Sequence, residues 1–274
     1  MNRTELFGGD PVAQTLLIPL WARAVEQREP HPLLSDPLAT ELAATIGLER
    51  RHVRLSRGDL AQCVVRARQF DRFVRNFLTR QPDGTVVHLG CGLDTRFHRL
   101  DNGSVHWFDL DLPSVIAARR RLLPETERYH YLAASLFDRA WLDQVPFGPG
   151  SALMFVAEAV LPYFAAGKVR DLVCELRDRF PGAELVTDTY TSHAVRIDNL
   201  HLLAIGSRAR MHWSLDSPAE PETWSPGIRL VESFSYFDDP EPRMGFPRWF
   251  AQVGFIAHAT GIHRYRLGSA DPAG

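Results

Sequence analysis

Between residues 85 and 187 the chain carries five short apolar or β-branched runs, at 85–89, 104–108, 129–133, 152–156 and 184–187. Helix-like stretches separate them: one after Gly92, one opening at Pro113, one near Trp141 and one over 165–180. Strands that alternate with helices build a parallel sheet covered on both faces, because each crossover lays its helix back on the sheet. This alternation selects an α/β architecture. Two further runs, 228–237 and 262–267, with a helix near Arg248-Trp249-Phe250 between them, are read as an antiparallel C-terminal edge.

The first 80 residues have helical periodicity. Leu16, Leu17, Leu20, Ala24 and Val25 share one face before the breaker Pro30-His31-Pro32. Asp36 followed by Pro37 has the form of an N-cap, opening a helix over 38–46 that stops at Gly47. Val64, Val65, Phe70, Phe73, Val74 and Phe77 mark a longer amphipathic helix that ends before Gln81-Pro82-Asp83-Gly84. The expected organisation is a single domain: a helical cap (1–80), a ligand-binding core (81–189), a lid insertion (190–225) and C-terminal strands (226–274).

Composition removes several alternatives. The net charge of -2 gives no general attraction to nucleic acid or anionic membrane. No apolar stretch reaches the ~20 residues that span a bilayer, and no secretory signal is expected at the start. Cys63, Cys91 and Cys174 are odd in number and widely spaced, which suits reduced thiols in a cytoplasm and no zinc ribbon. Lys168 is the only lysine. That is read first as coding bias and second as a demand for bidentate anion contacts.

Open parallel sheets bind ligands outside the carboxyl ends of their strands, where the strand order reverses. The first run leads there through Leu89-Gly90-Cys91-Gly92-Leu93-Asp94. Two glycines let the backbone approach a ligand without an intervening Cβ, although Gly-x-Gly alone also marks plain turns. Asp109 and Asp111 close the next run about 20 residues on, where an acid receives ribose hydroxyls. Asp111 equally suits the cap of the helix opened by Pro113. A dinucleotide site wants a third glycine where Thr95 stands, and a phosphate on the helix start would meet Asp94. A carboxylate there favours a cation, so S-adenosylmethionine, a nucleoside with a sulfonium and an ammonium, suits the loop better than a nicotinamide dinucleotide. Glu158, closing 154–158, adds a carboxylate near the methyl-donor position; alone it reads as a helix-start acid or salt-bridge partner.

The segment Val87-His88-Leu89-Gly90-Cys91-Gly92-Leu93-Asp94-Thr95-Arg96 resembles the glycine-loop signature of the leucine carboxyl methyltransferase family. Arg66-Ala67-Arg68-Gln69-Phe70-Asp71 is similar to its Arg-Thr-x-x-x-Asp segment. Phe108-Asp109-Leu110-Asp111-Leu112-Pro113 is similar to its Glu-x-Asp-x-Pro step, and Glu158-Ala159-Val160-Leu161-Pro162-Tyr163 to its Glu-Gly-Val-Leu-x-Tyr segment. Trp213-Ser214-Leu215 and residues 224–230 look most like its bacterial small-molecule branch, typified by the tetracenomycin-pathway O-methyltransferase. The resemblance implies a class I methyltransferase-like (Rossmann-like) fold and S-adenosylmethionine as methyl donor, with S-adenosylhomocysteine as product. It implies that Arg66, with Arg23 as a second partner, holds the methionine carboxylate. Gly90, Cys91 and Gly92 would line the same moiety, Asp111 and Leu112 the ribose side, Ser135 and Leu136 the adenine side, and Glu158 the amino or sulfonium end. Two departures are visible: Ser135 stands where the family has Asp, and Ala159 where it has Gly.

The expected reaction is methyl transfer to a carboxylate or phenolic hydroxyl of a small, aromatic or polyketide-like metabolite. A carboxylate is ionised at neutral pH and needs no base, whereas a phenol with pKa ~10 gains from one. Tyr163, Tyr190 and His193 are the candidate catalytic residues, with His201, His212 and Trp213 as further pocket candidates. The histidines are not at metal-ligand spacing, so no metal is expected. A small-molecule acceptor, no nucleic acid or membrane partner, and a monomer or homodimer complete the reading. Protein C-terminal carboxyl methylation, a nicotinamide-dependent oxidoreductase and a non-catalytic nucleoside binder are the alternatives.

Overall fold

The computed structural model describes residues 11–53, 55–204, 207, 209–236, 238, 241–245 and 259–268. Five parallel strands form its centre: β1 (Thr85–Leu89), β2 (His106–Asp111), β3 (Tyr129–Ala133), β4 (Leu153–Ala157) and β5 (Ala183–Tyr190). Two more, β6 (Ile228–Ser235) and β7 (Thr260–Leu267), complete a seven-stranded sheet in the order β3-β2-β1-β4-β5-β7-β6. β7 lies antiparallel between β5 and β6. The chain thus builds outward from β1 to β3, then returns to place β4 on the other side of β1, and the order reverses between β1 and β4.

Seven helices accompany the sheet among the described residues: α1 (Pro11–Glu26), α2 (Pro37–Thr45), α3 (Arg57–Arg80), α4 (Arg96–Leu100), α5 (Pro113–Leu122), α6 (Ala166–Arg179) and α7 (Ser192–Ala204). The Asp36 side chain accepts from the Ala39 N–H with Pro37 in the first helical position, so α2 starts as its sequence specifies. Ser56 and Asp59 close a reciprocal capping box at the head of α3.

Successive strand residues point to opposite faces, and the core follows that alternation. Val87, Leu89, Phe108, Leu110, Phe155 and Leu185 face α6 and the segment carrying Trp213 and Leu215. Val86, Trp107, Met154, Val156 and Val186 face Phe70, Phe73, Val74 and Phe77 of α3. The other half of α3 belongs to a separate core, where Leu60, Val64 and Ala67 pack with Leu17, Leu20 and Trp21 of α1 and Leu42 of α2. α3 therefore joins the cap to the sheet.

Some boundaries differ from the sequence reading. The second strand starts at His106 and includes Asp109 and Asp111. The Asn102 carboxamide accepts from the Ser104 and Val105 N–H groups (3.0 and 2.8 Å), which holds those residues in the preceding turn. The helix near Trp141 is one 3-10 segment, Arg139–Gln144. β5 runs on to Tyr190 because β7 pairs along its whole length. The helix expected near 248–250 lies outside the described residues.

Gly90 leaves β1 at φ 64°, and a Cβ there would run into the Val160 side chain. Its glycine is required by backbone conformation and by packing against the turn after β4. Gly90→Ala is expected to lower unfolding free energy by about 2–4 kcal/mol in urea denaturation, combining left-handed strain with overpacking.

Candidate active site

The carboxyl ends of β1, β2, β4 and β5 deliver Gly90, Asp111, Glu158 and Tyr190 to one end of the sheet, around the reversal between β1 and β4. The glycine loop is tied down before any ligand is considered. Gly90 and Cys91 donate to the Leu110 carbonyl (2.8 and 3.1 Å), and the Gly92 N–H donates to Asp111 Oδ2 at 2.8 Å. Arg119, buried on α5, donates to the Gly92 carbonyl at 2.8 Å. Asp111 Oδ1 accepts from the Leu112 N–H at 2.7 Å. Burial raises the Asp111 carboxyl despite these two donors.

Beneath the loop lies a buried ionic network. Asp71 accepts from Arg99 through both oxygens (2.8 and 3.0 Å) and from Arg96 Nε at 2.7 Å. Asp36 Oδ2 accepts from Arg23 Nε at 2.9 Å, Arg99 Nη1 at 2.8 Å and Thr95 Oγ1 at 2.6 Å. Asp94 meets Arg99 at 2.9 Å, Arg96 at 3.2 Å and Arg23 at 3.8 Å. Burial alone would raise the Asp94 carboxyl, but the Arg96, Arg23 and Arg99 guanidiniums hold it well below the usual range.

Glu158 joins this network to the open side. One oxygen accepts from Arg66 Nε at 3.0 Å and the other from Arg96 Nη2. Against the effect of burial, Arg96 and Arg66 keep its carboxyl below the ordinary glutamate value. Ala159 follows at φ 55°, the one non-glycine with positive φ among the described residues, and its N–H donates to Asp188 Oδ1 at 2.9 Å. Asp188 is fully buried on β5, and its Oδ2 accepts from the Tyr190 hydroxyl at 3.0 Å. Burial raises both the Asp188 carboxyl and the Tyr190 phenol. Tyr163, half-buried in the 3-10 turn after β4, and buried Tyr236, just beyond β6, also lie in the field of Arg66.

Several expectations change. Asp94 was expected to offer its charge to a cation, but three arginines neutralise it. Gly90 was expected to clear space for a ligand, whereas Val160 occupies the place of its Cβ. Asp111 does not cap α5, whose N-cap is Leu112 without a side-chain bond. Asp109 is consumed internally by Arg119, Tyr129 and Trp107. Arg23 is buried, with Nε on Asp36 and one Nη on the Leu93 carbonyl (3.0 Å), so it fixes the cap to the loop. His193 lies exposed on α7, and His201 and His212 are exposed as well, while Trp213 packs in the sheet core. Arg66, Glu158, Tyr163 and Tyr190 are brought together. Leu112 is 41% exposed beside Asp111; Ser135 is exposed and Leu136 buried after β3. Asp188 went unread, although an acid inside an apolar strand is itself a signal. Among the described residues no group of three or more His, Cys, Asp or Glu side chains could hold a metal ion, and no helix is long and apolar enough to cross a membrane.

A family model for leucine carboxyl methyltransferase matches residues 17–176, more than half of the chain. The chain belongs to the leucine carboxyl methyltransferase family. The tetracenomycin polyketide synthesis O-methyltransferase TcmP of Streptomyces glaucescens is 34% identical over 230 residues, 84% of each chain. The S-adenosyl-L-methionine-dependent methyltransferase dpfgK of Gibberella zeae is 28% identical over 272 residues, covering 89% of this chain and 87% of its own. A Thermobifida fusca protein described as a methyltransferase shares the fold, with a TM-score of 0.58 at 17% identity over 85% of this chain and 87% of that one.

In this methyltransferase Ala159 holds a left-handed backbone that costs about 1–2 kcal/mol with a side chain present. Ala159→Gly is expected to raise stability by up to about 1 kcal/mol in urea denaturation, part of the relief being offset by the freer unfolded chain. Arg96→Ala leaves buried carboxylates short of a partner and is expected to cost about 3–5 kcal/mol. Asp71, Asp94 and Glu158 all titrate below their ordinary values. Their contribution is therefore complete above the unfolded carboxyl range, near pH ~4, and is lost as pH falls further through the depressed folded values. The urea midpoint of the wild type is expected to drop below about pH 4, and to drop less in Arg96→Ala.

Proposed function

We propose that this methyltransferase acts on an oxygen, a carboxylate or a phenolic hydroxyl, of a small aromatic metabolite. The methyl donor is S-adenosylmethionine and the product S-adenosylhomocysteine. The observation that carries the site assignment is the Arg66–Glu158 pair at the reversal of strand order. Arg66 spends Nε on Glu158, and among the described residues its two terminal nitrogens carry no hydrogen bond. A planar guanidinium with its fork open suits a carboxylate, and the adjacent Glu158 suits an ammonium. Two opposite charges side by side complement the zwitterionic end of the methionine moiety.

The other roles follow from position. Gly90, Cys91 and Gly92 would run along that moiety. Each Asp111 oxygen accepts one backbone N–H and keeps capacity for a ribose hydroxyl. The exposed Leu112 would give the base an apolar surface, with Ser135 and Leu136 on its far side. When bound, the donor supplies an electrophilic methyl carbon on a positively charged sulfur. The chain supplies alignment, worth up to ~7–11 kcal/mol in well-oriented systems. Tyr163 and Tyr190 would border the acceptor. The naming of the Streptomyces relative for polyketide synthesis supports a small-molecule acceptor.

Arg66→Ala and Asp111→Ala are each expected to weaken S-adenosylhomocysteine binding roughly 10–100-fold by calorimetry, the range of one or two charge-assisted hydrogen bonds, with the thermal unfolding transition retained. Normal binding by both variants, or binding of NAD in place of the nucleoside, overturns the site. Methylation of a leucine-terminated peptide in preference to aromatic acids and phenols overturns the acceptor class.

A further inference from the structure

β5 buries one acid that the ionic network does not reach. Glu26, Asp36, Asp71, Asp94, Asp109 and Glu184 are the other buried carboxylates among the described residues, and each forms an ion pair with at least one arginine. Asp188, fully buried, forms none among the described residues. Its two hydrogen bonds come from neutral donors: the Ala159 N–H to Oδ1 at 2.9 Å and the Tyr190 hydroxyl to Oδ2 at 3.0 Å. Arg66 acts on it only through space. A charge withdrawn from water without a counter-ion is costly, and natural proteins accept such local conflicts at functional sites. The position of Asp188 says which site. Ala157 pairs with Thr187 in the register of β4 on β5, so Glu158 and Asp188 follow side by side at the carboxyl end of β4. Glu158 is matched by Arg66 and Arg96, which leaves Asp188 as the uncompensated negative charge beside it.

We propose that Asp188 is a positioning residue acting through Tyr190: it binds the Tyr190 hydroxyl proton, so that Tyr190 meets the donor with oxygen lone pairs alone and the site favours the cationic methyl donor over its neutral product. This rests on the donor-site reading above. A phenol has one O–H to donate, and once that is spent on Asp188 its oxygen can only accept. Both Asp188 oxygens accept hydrogen bonds, an arrangement that suits the ionised carboxylate. A charged acceptor strengthens the bond and leaves the phenol oxygen more negative. Tyr190 is 7% exposed and Asp188 0%, so the phenol is the part of the pair that can meet a ligand. S-adenosylmethionine carries a sulfonium where S-adenosylhomocysteine has a thioether. Arg66, Glu158 and Asp111 would meet the same amino-acid and ribose groups in both, so they do not separate donor from product. The Asp188–Tyr190 pair does, and it loosens the hold on the product once the sulfur has lost its charge. The bond to the Ala159 N–H ties the pair to the turn that bears Glu158.

The test is calorimetric titration, without acceptor, of S-adenosylmethionine and S-adenosylhomocysteine into wild type, Asp188→Asn, Tyr190→Phe and the double variant. Asp188→Asn keeps the shape and an oxygen for the Ala159 N–H, but its amide donates to the Tyr190 oxygen and turns the hydroxyl proton toward the site. It is expected to lower the affinity for S-adenosylmethionine relative to S-adenosylhomocysteine about tenfold, the order for one charge acting over several ångströms in partly buried surroundings. The affinity for S-adenosylhomocysteine should stay nearly unchanged. Tyr190→Phe should shift the ratio in the same direction, and the double variant should lose no more than the larger single loss, because the two residues act as one unit. A ratio unchanged in both single variants, or both affinities falling in parallel with a lowered urea midpoint in Asp188→Asn, marks Asp188 as purely structural and overturns the proposal. Should Asp188→Asn fail to fold, the ratio in Tyr190→Phe decides. Binding of neither nucleoside by the wild type would instead overturn the donor site.

Discussion

Four arginines and four carboxylates, Arg23, Arg66, Arg96 and Arg99 with Asp36, Asp71, Asp94 and Glu158, interlock beneath the glycine loop. Removing so many charges from water is expensive, and mutual attraction compensates only where each ion has several well-placed partners. Here every carboxylate has at least two contacts with arginine. Guanidinium is suited to this task, since one planar head serves two or three acids at once, as Arg99 does for Asp71, Asp36 and Asp94. Because Arg23 and Asp36 come from the cap while Asp94, Arg96 and Arg99 flank the glycine loop, loop and cap cannot adopt independent positions.

That coupling divides the site into two halves with different physics. Around the glycine loop, the proposed donor side, charges are compensated and backbone amides are engaged before any ligand is considered. On the other, the proposed acceptor side, the side chains are phenols and carboxyls raised by burial: Tyr163, Tyr190, Tyr236, Asp188 and Asp198. Arg66 stands at the boundary, bonded to Glu158 on one side and felt by those phenols and acids on the other.

The strand–helix alternation, the start of α2 and the glycine loop were legible because each follows from local rules: β-branched runs, Asp36-Pro37, and two glycines directly after a strand. Arg66 and Glu158 were legible as residues, and their mutual ion pair was not, because 92 positions separate them. Asp94 shows the complementary failure. Its place in the loop was read correctly, but its partners Arg96, Arg99 and Arg23 reverse its electrostatic meaning. α7 lies within the stretch read only as an insertion. Its Ile197, Leu200 and Leu203 lie three apart, yet they are exposed while Asp198 is half-buried. Helical periodicity identifies a face without saying which side the rest of the molecule occupies.

α3 is 24 residues long, about 36 Å. Phe70, Phe73 and Phe77 in its second half are clamped into the sheet, whereas Asp59 and Cys63 in its first turns lie near Asp198 and Tyr163. Under the proposed function, mutational drift at those early turns would retune which metabolite is accepted while the aromatic anchor keeps the rod in place, writing diversification and stability into separate stretches of one helix.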